Sequence, residues 1–375
     1  MEDIQKQVSR TKPEPSSPLI TKEEEERENK PKNGQIFEGN WLEIEVKKLN
    51  QHYESGFIGD NRTLLAFKDL NNYAIGTSDG GFAVVEDSLE IHSDRPPGHF
   101  GGELRDIVYI AYLNCYLFNH EDQIYRKDIN QSPAYLYLPI CSESRVGACF
   151  GYSKLNQKLI IPSLDAKISV IDLNRERLEF QISAKIGQIG SIRDLRIFGS
   201  SENRIIFITR KGWICIYYLN YSLRKVIGHH RSRIEGVRGE TEEGYALSVS
   251  ENNRYILASL ITSVVDRRSR LFLYEIRSHS LLKLAVLEDK SCGIGIQGAL
   301  EFWGRVGAHF LWVGLSERVG FVQLFDFDAE SGELKELAQK SVSHQEFSPR
   351  KMCRLGNNFY FTGGDAKIMQ LSFNL

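Results

Sequence analysis

One six-residue form recurs seven times along this chain. The copies are Phe82-AVVE-Asp87, Ile124-YRKD-Ile129, Ile168-SVID-Leu173, Ile214-CIYY-Leu219, Leu271-FLYE-Ile276, Val322-QLFD-Phe327 and Ile368-MQLS-Phe373. Their fifth positions are Glu86, Asp128, Asp172, Tyr218, Glu275, Asp326 and Ser372, so five of the seven are acidic. Their fourth positions are large and apolar except at Lys127. A chain that repeats one β-type pattern builds one supersecondary unit many times and buries its apolar surface between copies.

A second apolar segment precedes each copy. These segments begin at Tyr73, Cys115, Lys158, Ile205, Tyr255, Phe310 and Phe359, at spacings of 42 to 55 residues. Turn residues separate the two segments, as at Ser78-Asp79-Gly80, Arg210-Lys211-Gly212 and Gly364-Asp365-Ala366. Short Ile, Leu, Val, Tyr and Phe runs bounded by Gly, Asp, Asn and Ser read as strands and turns. No long run carries the helical period. The fold class is therefore all-β.

A strand that closes on an aromatic or aliphatic residue and then an acid resembles the end of a WD repeat. The resemblance covers about residues 40–375 and implies a seven-bladed β-propeller of four-stranded antiparallel blades, acting as a protein-interaction scaffold. No copy ends in Trp-Asp, and the family's Gly-His pair is present only at Gly228-His229 and Gly98-His99. The buried hydrogen-bond tetrad of that family is thus expected to be missing from most blades, leaving apolar packing to hold them together. Full blades are predicted at 63–94, 103–140, 146–184, 191–228, 244–288 and 297–340. The last set, with an inner strand near Pro349 to Arg354, ends before an outer strand. Trp41 to Lys47 alternates with period two and is predicted to pair beside the final strand, so that 41–49 completes the blade of 349–375 and covers its edge.

Residues 1–33 differ from the rest. Lys12-Pro13-Glu14-Pro15-Ser16-Ser17-Pro18 and the acidic run Glu23 to Glu26 hold few apolar side chains. Such a segment cannot offset its chain entropy by burial and is predicted to be a disordered, solubilising tail. For the whole chain of 375 residues the net charge is −2, which gives no overall pull toward nucleic acid or anionic membrane. The six cysteines form no CxxC pair and read as buried thiols of a reducing compartment. With no secretory leader and no apolar run of about 20 residues, the expected location is the cytoplasm, with the nucleus as the alternative.

Motifs for chemistry are weak. Gly293-Ile-Gly295-Ile-Gln-Gly298 has dinucleotide-loop spacing, but the following Ala299 to Trp303 reads as a strand, where that site needs a helix N-terminus. The nine histidines show no metal spacing, and His229-His230 is read as part of a loop. No nucleophile elbow is present. No catalytic residue, metal or cofactor is assigned, and the chain is read as a non-enzyme. A propeller hydrolase is retained as the second alternative, since carboxylates could converge at a central channel.

The informative feature is a charge bias in certain loops. On one face, Arg210, Lys211, His229, His230, Arg231, Arg233, Arg267, Arg268, Arg270 and Arg318, together with Arg238 and Lys290, make a basic sector over blades 4–6. Guanidinium groups bind carboxylate or phosphate through paired hydrogen bonds. The expected partner is a protein or acidic peptide, within a multiprotein complex. A phosphoinositide or nucleic acid on the same sector is the first alternative; few aromatics interleave with the cations, which disfavours stacked bases. Glu235, Glu240, Glu242, Glu243 and Asp266 are the counter-charges a purely structural role would use.

Overall fold

The computed structural model describes residues 43–49, 62–77, 82–85, 91–93, 104–120, 123–129, 135–136, 149–163, 167–183, 189–235, 237, 242–262, 269–278, 280–289, 300–315, 321–341, 348–349, 351–362 and 368–374. All belong to one compact unit, Phe37–Leu375. The expected tail at 1–33 and the glycine loop at 293–298 lie outside the described residues.

Among the described residues every long element is a strand. After β1 (Glu43–Leu49), sheet I holds β2 (Arg62–Phe67), β3 (Tyr73–Thr77), β4 (Phe82–Val85) and β5 (Ile91–Ser93). Sheet II holds β6 (Leu104–Ile110), β7 (Cys115–His120), β8 (Gln123–Asp128) and β9 (Tyr135–Leu136). Sheet III holds β10 (Gly151–Ser153), β11 (Lys158–Pro162), β12 (Lys167–Asp172) and β13 (Arg177–Ser183). Sheet IV holds β14 (Ile192–Phe198), β15 (Arg204–Thr209), β16 (Trp213–Asn220) and β17 (Lys225–Arg233). Sheet V holds β18 (Glu242–Val249), β19 (Tyr255–Thr262), β20 (Ser269–Ile276) and β21 (Leu281–Asp289). Sheet VI holds β22 (Leu300–Val306), β23 (His309–Leu315), β24 (Phe321–Asp328) and β25 (Glu333–Ser341). The chain ends in β26 (Ser348–Pro349), β27 (Cys353–Leu355), β28 (Asn358–Thr362) and β29 (Ile368–Asn374).

Six sheets are four-stranded and antiparallel, and the remaining one has five strands in the order β26-β2-β3-β4-β5. Sheet VII is β27-β28-β29-β1: the N-terminal strand lies against the last along its whole length, from Glu43 opposite Asn374 to Leu49 opposite Ile368. One expectation is corrected here. Ser348-Pro349 does not start the inner strand of sheet VII but pairs in parallel with Arg62-Thr63 of sheet I. Proline has no N–H to give a ladder, so it sits at a sheet edge, and the inner strand begins only at Cys353.

Apolar clusters fill the junctions between successive sheets. Ala66 and Phe82 of sheet I meet Leu104 and Phe118 of sheet II, with the two phenyl rings stacked 4.0 Å apart. Ile110 and Leu117 meet Leu159 and Ile171, and Ile160 and Val170 meet Leu195 and Phe207. Ile206 and Ile216 meet Leu247 and Ile256, and Leu257 and Leu273 meet Phe302 and Trp312. Trp303 and Leu311 meet Met352 and Phe359, and Tyr360 and Ile368 return to Leu65 and Tyr73 of sheet I. The succession of junctions therefore closes on itself. Each fully buried aliphatic or aromatic side chain contributes about 1.5–3 kcal/mol of transfer free energy.

Meandering sheets sort their connections by face. Turns between first and second strands, and between third and fourth, lie on one side, called here the turn face. Turns between second and third strands, and the sheet-to-sheet connections, lie on the other, the loop face.

The acidic fifth position of the hexad has a structural role. Asp172 accepts hydrogen bonds from the N–H groups of Asn174 (3.0 Å) and Arg175 (3.2 Å), which start the next hairpin, and it pairs with Lys158 Nζ at 3.0 Å on the neighbouring strand. Burial pushes its carboxyl up, but Lys158 and the two N–H donors outweigh burial and hold it below its ordinary value. Glu275 pairs likewise with Arg254 and Arg277, Asp326 with His309, and Asp128 with Arg126.

Candidate functional site

Two places could carry function: the loop face over sheets IV and V, and the inner strands around the axis.

On the loop face, the turn from β15 to β16 carries Arg210 and Lys211, both exposed. Gly212 closes it with φ +72°, a conformation glycine takes without strain, and a Cβ there would lie 2.8 Å from Val237. Ile234 donates its N–H to Gly212 O at 2.9 Å, which brings the end of β17, and exposed Arg233 with it, beside this turn. Arg210, Lys211 and Arg233 are thus gathered at one corner.

The charge of this corner is partly cancelled. Glu243 binds Arg210 through one oxygen and Arg193 through the other, the latter at 2.8 Å. Arg270 is turned inward onto Glu242 and lies over the Phe272 ring at 5.1 Å. Two of the counter-charges read from the sequence, Glu242 and Glu243, therefore act as such.

His229, His230 and Arg231 are placed differently from expectation. They do not lie in a loop but on the outer strand β17, opposite Tyr217, Ile216 and Cys215. An outer strand buries one side at most, so its sequence need not carry the apolar run that marks inner strands. Arg231 donates to Tyr217 Oη at 2.6 Å and stands 5.6 Å over its ring. Burial, with His229 beside it, lowers the pKa of His230, which disfavours a positive charge there. Arg238, Arg267, Arg268, Lys290 and Arg318 lie outside the described residues.

The axial site was missed by sequence reasoning. Asp106 and Asp194 take the same place in β6 and β14, each after an arginine at a break in strand register. Asp194 Oδ1 accepts the N–H of Leu195 and Oδ2 that of Leu247, both at 2.8 Å. Asp106 does the same with Ile107 (2.8 Å) and Phe150 (2.6 Å). Each aspartate thus ties its inner strand to the neighbouring sheet. The repeated Leu104-Arg-Asp-Ile107 and Ile192-Arg-Asp-Leu195 were the available signal.

Two ion pairs skip a sheet. Arg196 of sheet IV reaches Glu301 of sheet VI at 2.8 Å, and Lys351, leading into sheet VII, reaches Asp106 of sheet II at 2.6 Å. Burial pushes the Asp194 and Glu301 carboxyls above their ordinary values, although Arg196 pulls both down. For Lys351, burial opposes the charge but Asp106 outweighs it and raises the pKa. The Cys353 thiol nearby is pushed up to about 12 by burial, so it is not a ready thiolate. These carboxylates converge, as a hydrolase would require, but their oxygens are bound to backbone N–H groups and to the half-buried cations Arg196 and Lys351. Among the described residues no cluster of His, Cys, Asp and Glu has metal-site geometry.

No family model matches the chain, and no curated protein matches it by sequence. Among solved structures it is similar to the WD40 β-propeller domain of Doa1, with a TM-score of 0.57 and 15% identity, over 85% of this chain and 94% of that one. The fold is a WD40-type β-propeller. At that identity the likeness concerns the fold alone, with four-stranded antiparallel sheets as its blades. This WD40-type propeller joins its blades through apolar junctions and through the aspartates of its inner strands, not through Trp-Asp closures.

Proposed function

We propose that this protein is a non-catalytic interaction scaffold that binds a protein or acidic peptide on its loop face. In this reading the ring has seven blades, with the five-stranded sheet counted as a blade that has gained β26 at its inner edge. The apolar cluster at each junction, returning from sheet VII to sheet I, supports that count. WD40-type propellers present a rigid frame whose loops are free to vary, which suits recognition.

The observation that carries the reading is the corner formed by Arg210, Lys211 and Arg233. Arg210 is 59% exposed although it touches Glu243, so its guanidinium remains open to a second carboxylate. Arg267, Arg268 and Arg318 are proposed to extend the corner across the same face. His229, His230 and Arg231 belong to a blade edge, and any partner contact there would be lateral.

The test is affinity capture of partners from cell extract with the parent and with an Arg210→Glu, Lys211→Glu, Arg233→Glu variant, quantified by mass spectrometry. Loss of a defined partner by roughly tenfold, as for contact residues at an interface, is the expected result. Unchanged recovery would move the contact elsewhere. Binding to anionic vesicles or single-stranded DNA that collapses with added salt would favour the phosphate-binding alternative. The proposed location is the cytoplasm, checked by imaging a tagged chain.

A further inference from the structure

The turn face carries a feature that the fold does not require. The turn joining first and second strands exposes a large apolar residue in three successive sheets: Leu70 (51% exposed) in sheet I, Tyr112 (53%) in sheet II and Leu155 (65%) in sheet III. Leu223 (60%), in the third-to-fourth turn of sheet IV, continues the series on the same face. The equivalent first turns of the other sheets hold Ser200-Ser201, Asn252-Asn253, Gly307-Ala308 and Gly356-Asn357. Polar or small residues therefore satisfy this turn, and the apolar tips belong to one sector only.

Specific contacts tie the turns of sheets II, III and IV to their neighbours. Tyr152 of sheet III lies beside the backbone of Tyr112 in sheet II. Leu155 donates its N–H to Glu202 of sheet IV at 2.9 Å, and Asn156 donates to Ser201 O at 2.8 Å. Tyr221 Oη donates to Glu202 O at 3.0 Å, holding the Leu223 turn against the same point. Exposed apolar side chains scattered singly need no explanation, but here three successive sheets repeat one at the same turn.

Charge defines what fits there. Among the described residues, the carboxylates of this sector are engaged: Asp69 by the N–H groups of Asn71 and Asn72, Glu202 by Ser153 and Leu155, and Glu176, itself 49% exposed, by Arg126. Cations are exposed beside the tips: Lys154 next to Leu155, and Arg224 next to Leu223, the latter 51% exposed although its Nε lies 3.9 Å from a Glu179 carboxylate oxygen. We propose that the turn face of sheets I–IV is a second docking surface, taking an acidic protein segment whose Leu or Phe side chains cover Leu70, Tyr112, Leu155 and Leu223 while its carboxylates meet Lys154 and Arg224. It is separate from the loop-face corner at Arg210 and Lys211, because the two lie on opposite ends of the strands.

The experiment titrates the purified full chain into a fluorescein-labelled synthetic peptide of three Glu-Leu-Asp-Gly-Phe units, read by anisotropy. Control peptides replace Leu and Phe by Ser, or Glu and Asp by Lys. The parent is expected to bind the first peptide at least about tenfold tighter than either control, and Leu70→Ser, Tyr112→Ser, Leu155→Ser together to lose roughly that factor. Lys154→Glu, Arg224→Glu should weaken binding as well. Arg210→Glu, Lys211→Glu should leave it unchanged, so failure of this surface and failure of the loop face are read separately. Circular dichroism and the melting curve verify folding of each variant; if the triple variant melts early, Leu155→Ser alone carries the test. No binding by the parent, equal binding of the Ser-substituted peptide, or equal affinity in the folded triple or single variant would overturn the proposal. So would self-association in sedimentation velocity that the triple variant abolishes, since the surface would then serve a second copy of this chain.

Discussion

At the residue scale, Asp106 and Asp194 show how a propeller without Trp-Asp closures can still fix its blades. A buried carboxylate that accepts two backbone N–H bonds from two sheets does the work of a local tetrad with one side chain. Removing it leaves the Leu247 N–H without its acceptor and Arg196 with one carboxylate fewer. Asp194→Ala should therefore cost about 2–4 kcal/mol, from the unsatisfied donor and the disturbed ion pair together. Asp194→Asn retains one acceptor oxygen and should cost clearly less. Urea denaturation midpoints of the three proteins decide this, and equal loss in both variants would mean that charge, not acceptance, is what matters. The sequence marked the acids of the third strand, because an acid stands in the same register in five of the seven copies. It did not mark these two, because only two inner strands carry the Arg-Asp step and a pair makes no visible period.

Elements were more legible than side chains. The hexads appear as third strands, and Glu43–Leu49 lies beside β29. What escaped notice was the extent of β17, whose Lys225–Arg233 run has little apolar content and was read past Gly228 as loop. Outer strands are defined by ladder hydrogen bonds to one neighbour, and composition carries little of that information. Two predictions belong here. Deleting residues 1–49 would strip β1 from β29 and bare its ladder; the expected outcome is a lower melting temperature together with concentration-dependent association, seen by light scattering. Glycines test how closely the sheets approach. A Cβ on Gly244 of β18 would lie 2.4 Å from the Thr209 carbonyl oxygen, a backbone atom of sheet IV, whereas one on Gly304 of β22 would meet nothing within 4 Å. Gly244→Ala should cost about 1–3 kcal/mol by overpacking, and Gly304→Ala should be neutral or slightly stabilising. Similar denaturation midpoints for the two variants would show that the sheets can move apart without penalty.

At the scale of the whole molecule, neighbouring blades are held by oil and distant ones by charge. The apolar junctions act only between adjacent sheets. The pairs Arg196–Glu301 and Lys351–Asp106 each reach past one sheet, so they constrain how the ring closes. Their acids carry a cost that pH can expose. Glu301 in the folded chain titrates above its ordinary value of 4.5, because burial opposes its charge more than Arg196 supports it. Between the ordinary and the raised value the folded state holds more protons than the unfolded one. Stability from this group is thus complete in acid, falls as pH rises through that window, and is level beyond it. Glu301→Gln removes the titration: it should match the parent near pH 4.5 and gain on it as pH rises. Arg196→Met does the opposite, leaving buried Asp194 and half-buried Glu301 without their cation, and should cost at neutral pH at most the roughly 3–5 kcal/mol of a broken buried pair. Combining the two changes should recover most of that loss, since fewer charges are left alone. Denaturant midpoints across this pH range for the parent, both single variants and the double variant measure all three effects. A Glu301→Gln protein that steadily loses ground as pH rises would show that the ionised pair stabilises the ring outright, and that burial is not the dominant influence on this carboxylate.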